Sequence, residues 1–196
     1  MKVLVACEYS GRVRDAFIAK GHDAMSCDLL PTDAPGPHYQ GDVFDLDLSQ
    51  FDLMIAHPPC TYLCSSGLHW NRRIEGRDAL SDSALSFVQN LMNAPIEKIA
   101  IENPVGRIGT AIRKADQYIQ PYQFGDDASK KTGLWLKNLP KLKPTKHIAP
   151  RMVNGKERWE NQTDSGQNKL APSDFRWKER SKTYQGIADA MAEQWG

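Results

Sequence analysis

Phe51-Asp52-Leu53-Met54-Ile55-Ala56-His57-Pro58-Pro59-Cys60-Thr61 is the stretch from which the fold is read. A largely apolar run, Phe51 to Ala56, ends against two prolines. Proline cannot donate to a sheet and restrains the residue before it, so a strand must stop here. Cys60 is thereby carried on stiff backbone to the carboxyl end of that strand, the edge where ligands bind in open α/β sheets. A thiol at that edge is a candidate nucleophile. Taken alone, it is equally a small buried hydrophobe, the commoner fate of a free cysteine. An ordinary thiol pKa of ~8.5 leaves only a few per cent thiolate at neutral pH, so a neighbouring group must stabilise the anion. His57 is a candidate neighbour, and Cys64, farther into the loop and less rigidly placed, is a competitor.

Outward from this strand the chain alternates. Lys2 to Ala6 has a buried-strand pattern, and Ser10-Gly11 opens an amphipathic helix from Arg12 to Lys20 that Gly21 stops. Asp23 to Cys27 is a second strand ending at Asp28. Pro31 to Gly41, with three prolines and two glycines, is a loop, followed by a helical turn over Asp42 to Ser49. Thr61 to Gly76 lacks periodicity and is expected to be a long, mobile loop. Asp78 to Asn93 is a helix with Ala84, Phe87, Val88, Leu91 and Met92 on one side. Lys98 to Glu102 is a strand stopped by Asn103-Pro104. Tyr118–Phe124 and Thr132–Leu136 pair as an antiparallel hairpin across Gly125 to Lys131. Lys141 to Asp174 is polar and aperiodic, and Lys182 to Trp195 closes the chain as a helix. The pattern predicts an α/β fold with a mostly parallel sheet and a late antiparallel hairpin.

At 196 residues one domain is expected, burying roughly 70% of its unfolded surface without a staple. The cysteines Cys7, Cys27, Cys60 and Cys64 form no C-x-x-C pair, and no second Cys/His pair completes a zinc site, so no metal is expected. The N-terminus turns polar by Glu8, too early for a signal peptide, and no apolar run approaches the ~20 residues of a membrane span. A cytoplasmic protein with reduced thiols and no membrane partner is expected. The net charge of +1 hides an asymmetry: Ser129 to Lys182 holds fourteen Lys and Arg against five acids, a net +9 set against −8 elsewhere. Such a segment binds phosphate or nucleic acid, or else pairs with the acidic half of its own chain.

Two further groups carry chemistry. The entry Cys7-Glu8-Tyr9-Ser10-Gly11 follows a strand and opens a helix, in the manner of nucleotide-binding turns, but the G-x-G-x-x-G fingerprint and the P-loop are absent. Asp28 is placed to bond a ribose diol and Asp42 an adenine amino group. Their plainer readings are a turn aspartate and a helix N-cap. Glu102 ends an apolar strand at the mouth of the sheet. Burial there raises a carboxyl pKa, and a protonated Glu102 would donate to a ring nitrogen. Its plainer reading is a solvent-facing acid.

Pro58-Pro59-Cys60-Thr61 followed by Ser65-Ser66-Gly67, Glu102-Asn103-Pro104, the strand–turn–helix with Gly11, and Asp28 together resemble the DNA cytosine-5 methyltransferases. Pro59-Cys60-Thr61 stands where that family has Pro-Cys-Gln, and Glu102-Asn103-Pro104 where it has Glu-Asn-Val. The resemblance covers roughly residues 1–105, with a faint echo of the last cofactor motif at Tyr184-Gln185-Gly186-Ile187-Ala188. The chain looks most like short phage- or prophage-type members. The resemblance implies a Rossmann-like class I methyltransferase fold over 1–196, with a basic irregular segment at about 141–175. It implies S-adenosylmethionine as cofactor, held by Cys7 to Gly11, Asp28, Asp42 and Pro58, and DNA as partner. Cys60 would add to C6 of cytosine while Glu102 bonds N3. Asn103, Lys130, Lys131 and Thr132 would bind the substrate, the lysines standing in for the family's Gln-x-Arg-x-Arg arginines. Three departures accompany this: one glycine in the cofactor loop, Thr61 in place of Gln, and no separate target-recognition domain. A free cytosine nucleotide as substrate, or a non-catalytic fold that binds nucleotide or DNA, are the alternatives.

Overall fold

In the computed structural model the chain runs β1 (Lys2–Ala6), α1 (Arg12–Ala19), β2 (Asp23–Asp28), β3 (His38–Gln40), β4 (Leu53–Ala56), α2 (Ser65–Leu68), α3 (Arg77–Met92), β5 (Lys98–Pro104), α4 (Ile108–Ala111), β6 (Gln117–Ile119), β7 (Thr132–Lys137), β8 (Arg151–Val153), β9 (Lys156–Arg158), α5 (Arg176–Ser181) and α6 (Gln185–Trp195). The structure describes every residue except His69 and Arg72; these fall in the loop expected over Thr61 to Gly76 and lie outside the described residues.

Seven strands form one sheet in the order β3-β2-β1-β4-β5-β7-β6. The first five in that order are parallel, and β7 inserts antiparallel between β5 and β6. The α/β reading therefore holds, with a mostly parallel mixed sheet. Successive side chains of a strand face opposite ways, so each strand feeds two cores. Val3, Val5, Leu53 and Ile55 pack with Phe17 of α1 and Met191 and Trp195 of α6. Leu4, Ala6, Met54 and Ile101 pack on the other side with Val88 and Leu91 of α3. The order of strands reverses direction at β1, with β2 on one side and β4 on the other. The crevice beyond their carboxyl ends is where such sheets hold ligands.

Four boundaries differ from expectation. The Pro31–Gly41 loop contains β3, which extends the sheet beside β2. The helical turn over Asp42–Ser49 is two 3-10 turns, Val43–Asp45 and Leu48–Gln50, started by Asp42 and Asp47. The first strand of the late hairpin keeps only Gln117–Ile119, because Pro121 starts a 3-10 turn. The aperiodic Lys141–Asp174 stretch contains the β8–β9 hairpin, closed by Asn154-Gly155, and α5 precedes α6. Trp159, at the base of that hairpin, stacks on Tyr122 with ring centroids 4.3 Å apart, which ties the basic segment to the sheet. Among the described residues no helix is long and apolar enough to cross a membrane.

Candidate functional site

The β4 strand gains one more ladder bond after Ala56: the His57 N–H donates to the Ala6 carbonyl at 2.9 Å. Pro58 and Pro59 end it, and the Asn103 Nδ2 holds the Pro58 carbonyl at 2.7 Å. The Leu63 and Cys64 N–H groups then return to the Cys60 carbonyl at 3.0 and 2.9 Å. Cys60 through Cys64 is thus one closed turn leading into α2, and a bridge between Cys64 and Gly106 fastens its end to the segment after β5. Cys64, expected farther into the loop with less rigid placement, is the last residue of this turn and bridges to Gly106.

The two thiols interact, and their electrostatics diverge. Cys64 is pushed below the ordinary thiol range because it accepts from the Cys60 thiol; the Ser66 hydroxyl at 3.2 Å and the Gly67 N–H add to the effect and outweigh its partial burial. Cys60 is pushed up, first by that same hydrogen bond and then by burial and Glu102, with Lys130 acting in the opposite sense. The hydrogen bond between the two thiols thus favours the anion on Cys64 over that on Cys60.

Glu102 lies opposite His57 across the β4–β5 ladder, since Ala56 pairs with Ile101. The His57 Nδ1 and a Glu102 carboxylate oxygen are 2.8 Å apart, with both side chains almost fully buried. Burial alone would raise the Glu102 pKa. The His57 hydrogen bond, the charges of Lys130 and His57, and a Thr132 hydrogen bond together outweigh it and hold the carboxyl below its usual range. The expected protonated carboxyl is corrected on this physical ground: its cationic and donor neighbours win over desolvation. The expected solvent-facing alternative also fails. On the far side of the ring, His57 Nε2 is buried without a hydrogen-bond partner.

The proposed substrate residues separate. The Lys130 charge acts on Glu102, while Lys130 Nζ donates to the Arg180 carbonyl at 3.1 Å and the Thr132 hydroxyl donates to the Lys130 carbonyl at 3.1 Å. Lys131 turns away, its Nζ 4.8 Å from the Tyr118 ring centroid. Asn103 follows Glu102 on the strand and so faces the opposite side of the sheet, where it clamps Pro58. Its role is to position the Pro58-Pro59-Cys60 backbone.

Of the expected cofactor residues, Asp28 and Asp42 gather around Cys7. Burial pushes the Cys7 thiol up, and Asp28, Cys27 and Asp42 act on it in the same sense, so all four lie together at the carboxyl edge beside β1. Burial and the Asp28 charge likewise raise the Cys27 thiol to about 12. Asp28 is raised by burial, partly offset by the Leu30 N–H and His38. One oxygen of Asp28 accepts from Leu30 N–H at 2.9 Å and one of Asp42 from Phe44 N–H at 3.0 Å, so the turn and cap readings are both realised. Glu8 turns inward: its carboxylate accepts from the Val13 and Arg14 N–H groups at 2.8 and 3.2 Å and from Ser10, which caps α1. Gly11, with φ 76°, starts that helix where a Cβ would meet the Arg14 guanidinium at 2.4 Å. Tyr9 is buried, its hydroxyl bonded to the Lys178 carbonyl and to Ser181.

Two groups were not singled out from sequence. His57 was weighed only as a neighbour of Cys60, although it and Glu102 each stand one residue beyond the last paired Ala56 and Ile101, which makes them cross-strand neighbours. Lys178 and Lys182 both pair with Asp33, at 2.8 and 3.2 Å, across the mouth from α5 to the loop after β2. No local pattern announces a contact of such long range. Among the described residues no three His, Cys, Asp or Glu side chains are grouped to hold a metal ion. Compared with protein-family models and with curated proteins, the chain matches none.

Proposed function

We propose that this chain is an S-adenosylmethionine-dependent methyltransferase that acts on C5 of cytosine in DNA. The observation that carries the reading is the register that brings Cys60 and Glu102 to neighbouring strand ends, Ala56 pairing with Ile101, beside the ends of β1 and β2 that carry Cys7 and Asp28. The strand order, with β7 reversed between β5 and β6, supports a Rossmann-like class I methyltransferase fold. Asp28 and Asp42 suit a ribose diol and an adenine amino group, because each commits one carboxylate oxygen, Oδ1, to its turn. Glu8, bonded into α1, would not touch the cofactor.

Cytosine C5 is too electron-poor to attack a methyl donor unaided. Cys60 gives its proton to Cys64 and forms a bond from sulfur to C6, and the C5–C6 π electrons move to C5. As the ring becomes an enamine, N3 takes a proton from solvent by way of the Glu102 carboxyl, which His57 Nδ1 holds in place at 2.8 Å. Bound S-adenosylmethionine supplies an electrophilic methyl group. Once C5 carries the methyl group, its proton leaves to water, the C5–C6 double bond re-forms as the C6–sulfur bond breaks, N3 returns its proton through Glu102, and Cys60 takes its own back from Cys64. Lys130, beside Glu102, balances negative charge at the pocket. A base within a duplex would first have to be flipped out, at a cost of a few kcal/mol.

A free cytosine nucleotide is the second reading, favoured by the small size of β8–β9, which offers little surface for reading a duplex. A steep fall of affinity with salt supports DNA, and a salt-insensitive preference for the mononucleotide supports the second reading. The reading is tested by calorimetric titration with S-adenosylmethionine. The wild-type protein should bind one equivalent, and Asp28→Asn should weaken binding about tenfold or more through loss of a charged acceptor. Absence of cofactor binding by the wild type would sink the enzymatic reading and leave a non-catalytic binding fold.

A further inference from the structure

α5 and the residue before it read Phe175-Arg176-Trp177-Lys178-Glu179-Arg180-Ser181. Both rings face solvent: Phe175 is 72% and Trp177 57% exposed. Large rings are seldom left so open without a partner, particularly two within three residues. The segment is nevertheless fixed in place, and it is fixed through its backbone. The Tyr9 hydroxyl donates to the Lys178 carbonyl, Lys130 donates to the Arg180 carbonyl at 3.1 Å, and Arg12 donates to the Thr183 carbonyl at 2.9 Å. These anchors attach α5 to the nucleotide-type turn on one side and to the lysine that faces Glu102 on the other. Phe175, Trp177 and Arg180 are left exposed at the rim of the mouth, while Lys178 turns back to Asp33 and Arg176 is half-buried.

The cations of the segment divide in two. Lys178 and Lys182 are paired with Asp33, whereas Arg176 and Arg180 have no carboxylate partner among the described residues. Arg180 follows Arg176 by four positions and Trp177 by three, so it neighbours both on the helix surface. The result is a short ridge on which Trp177 and Arg180 adjoin, with Phe175 and Arg176 at its start and neither guanidinium paired with a carboxylate.

We infer that this ridge docks single-stranded nucleic acid, with unpaired bases stacked on Phe175 and Trp177 and phosphates on Arg176 and Arg180, and leads the strand into the pocket at Cys60. The inference rests on the methyltransferase reading for its destination but not for its binding chemistry. Unpaired bases present open faces to aromatic rings, while in a duplex those faces are already stacked. A six-residue helix is about 9 Å long, too short to read a major groove. The charge of the ridge complements phosphate and opposes a second copy of the same ridge.

The test is binding of a fluorescein-labelled 20-nucleotide single strand, followed by anisotropy with no cofactor present, against the matching duplex. The single strand should bind more tightly. Phe175→Ala with Trp177→Ala should weaken it at least about fivefold per ring. Arg176→Gln with Arg180→Gln should flatten the salt dependence by roughly 0.7 log unit per lost phosphate contact. Thermal melting checks that these exposed substitutions leave the fold intact. Tighter duplex binding, or unchanged single-strand affinity in the ring variants, overturns the inference. So does loss of self-association in those variants, seen by sedimentation, or binding to vesicles of anionic lipid in place of strands. Ridge-dependent strand binding with no base adduct at Cys60 leaves the ridge standing and removes the methyltransferase reading; an adduct with ridge-independent binding does the reverse.

Discussion

Within the turn from Cys60 to Cys64, two thiols share one proton unequally. Cys64 accepts from Cys60, Ser66 and Gly67, so its anion is favoured, and Cys60 is the proton donor of the pair. A group whose pKa is depressed is charged at lower pH than usual, so Cys64 should already be nucleophilic where ordinary cysteines are silent. Iodoacetamide at pH 6.5, read by peptide mass spectrometry, should modify Cys64 first. Its rate should change little between pH 6.5 and 8, whereas an ordinary thiol gains nearly tenfold per pH unit below its pKa. Cys64→Ser should remove that fast phase and leave Cys60 slow. Faster alkylation of Cys60 than of Cys64 in the wild type would show that the charge rests on the other sulfur. In the proposed reaction the same hydrogen bond would let the neighbouring thiolate act as the base for Cys60.

Among the elements, α6 shows how closely the C-terminal layer is fitted. The Gly186 N–H donates to Asp126 at 2.9 Å, and a Cβ on Gly186 would stand 1.8 Å from the Phe124 carbonyl oxygen. Gly186→Ala must therefore lift α6 off the turn that precedes β7, and a cost of at least about 2 kcal/mol is expected from overpacking. Chemical denaturation should show it, and an unchanged midpoint would mean that the two backbones have room to part. The strands and the long helices were legible in the sequence because burial imposes a period on them: Val3-Leu4-Val5 and Val88 to Leu91 declare their layers. β3 was hidden because only three residues, His38 to Gln40, pair, and none is fully buried. The β8–β9 hairpin did have a signal, Asn154-Gly155 between short runs, but its exposed charged strands lack alternation. Of the site, Cys60 and Glu102 were legible as strand ends marked by proline. The His57–Glu102 bond and the Tyr9–α5 contacts were not, because they join positions far apart in sequence whose meeting depends on register.

For the whole molecule, the charge asymmetry of the sequence survives folding. The only carboxylate of the acidic half that draws ion pairs from the basic segment, among the described residues, is Asp33. The remaining ion pairs of that segment, Arg151 with Asp164, Lys169 with Glu160 and Lys182 with Glu179, are internal to it. β7 runs antiparallel, so Lys130 and Lys131 at its start border the carboxyl edge of the sheet, where Cys60, Glu102 and the Asp28 cluster lie, while Lys137 at its end sits at the opposite edge. That arrangement supports a polyanionic substrate more than a small neutral one. The central claim is that Cys60 forms a bond to cytosine C6. A single strand carrying 5-fluorocytosine, incubated with the protein and S-adenosylmethionine, tests it directly, because fluorine at C5 cannot leave as a proton does and the adduct is held. The account predicts a stable protein–oligonucleotide species that carries the transferred methyl group, maps to the peptide containing Cys60 and is absent in Cys60→Ser. No trapped species, or one that maps to Cys64 and persists in Cys60→Ser, would contradict it.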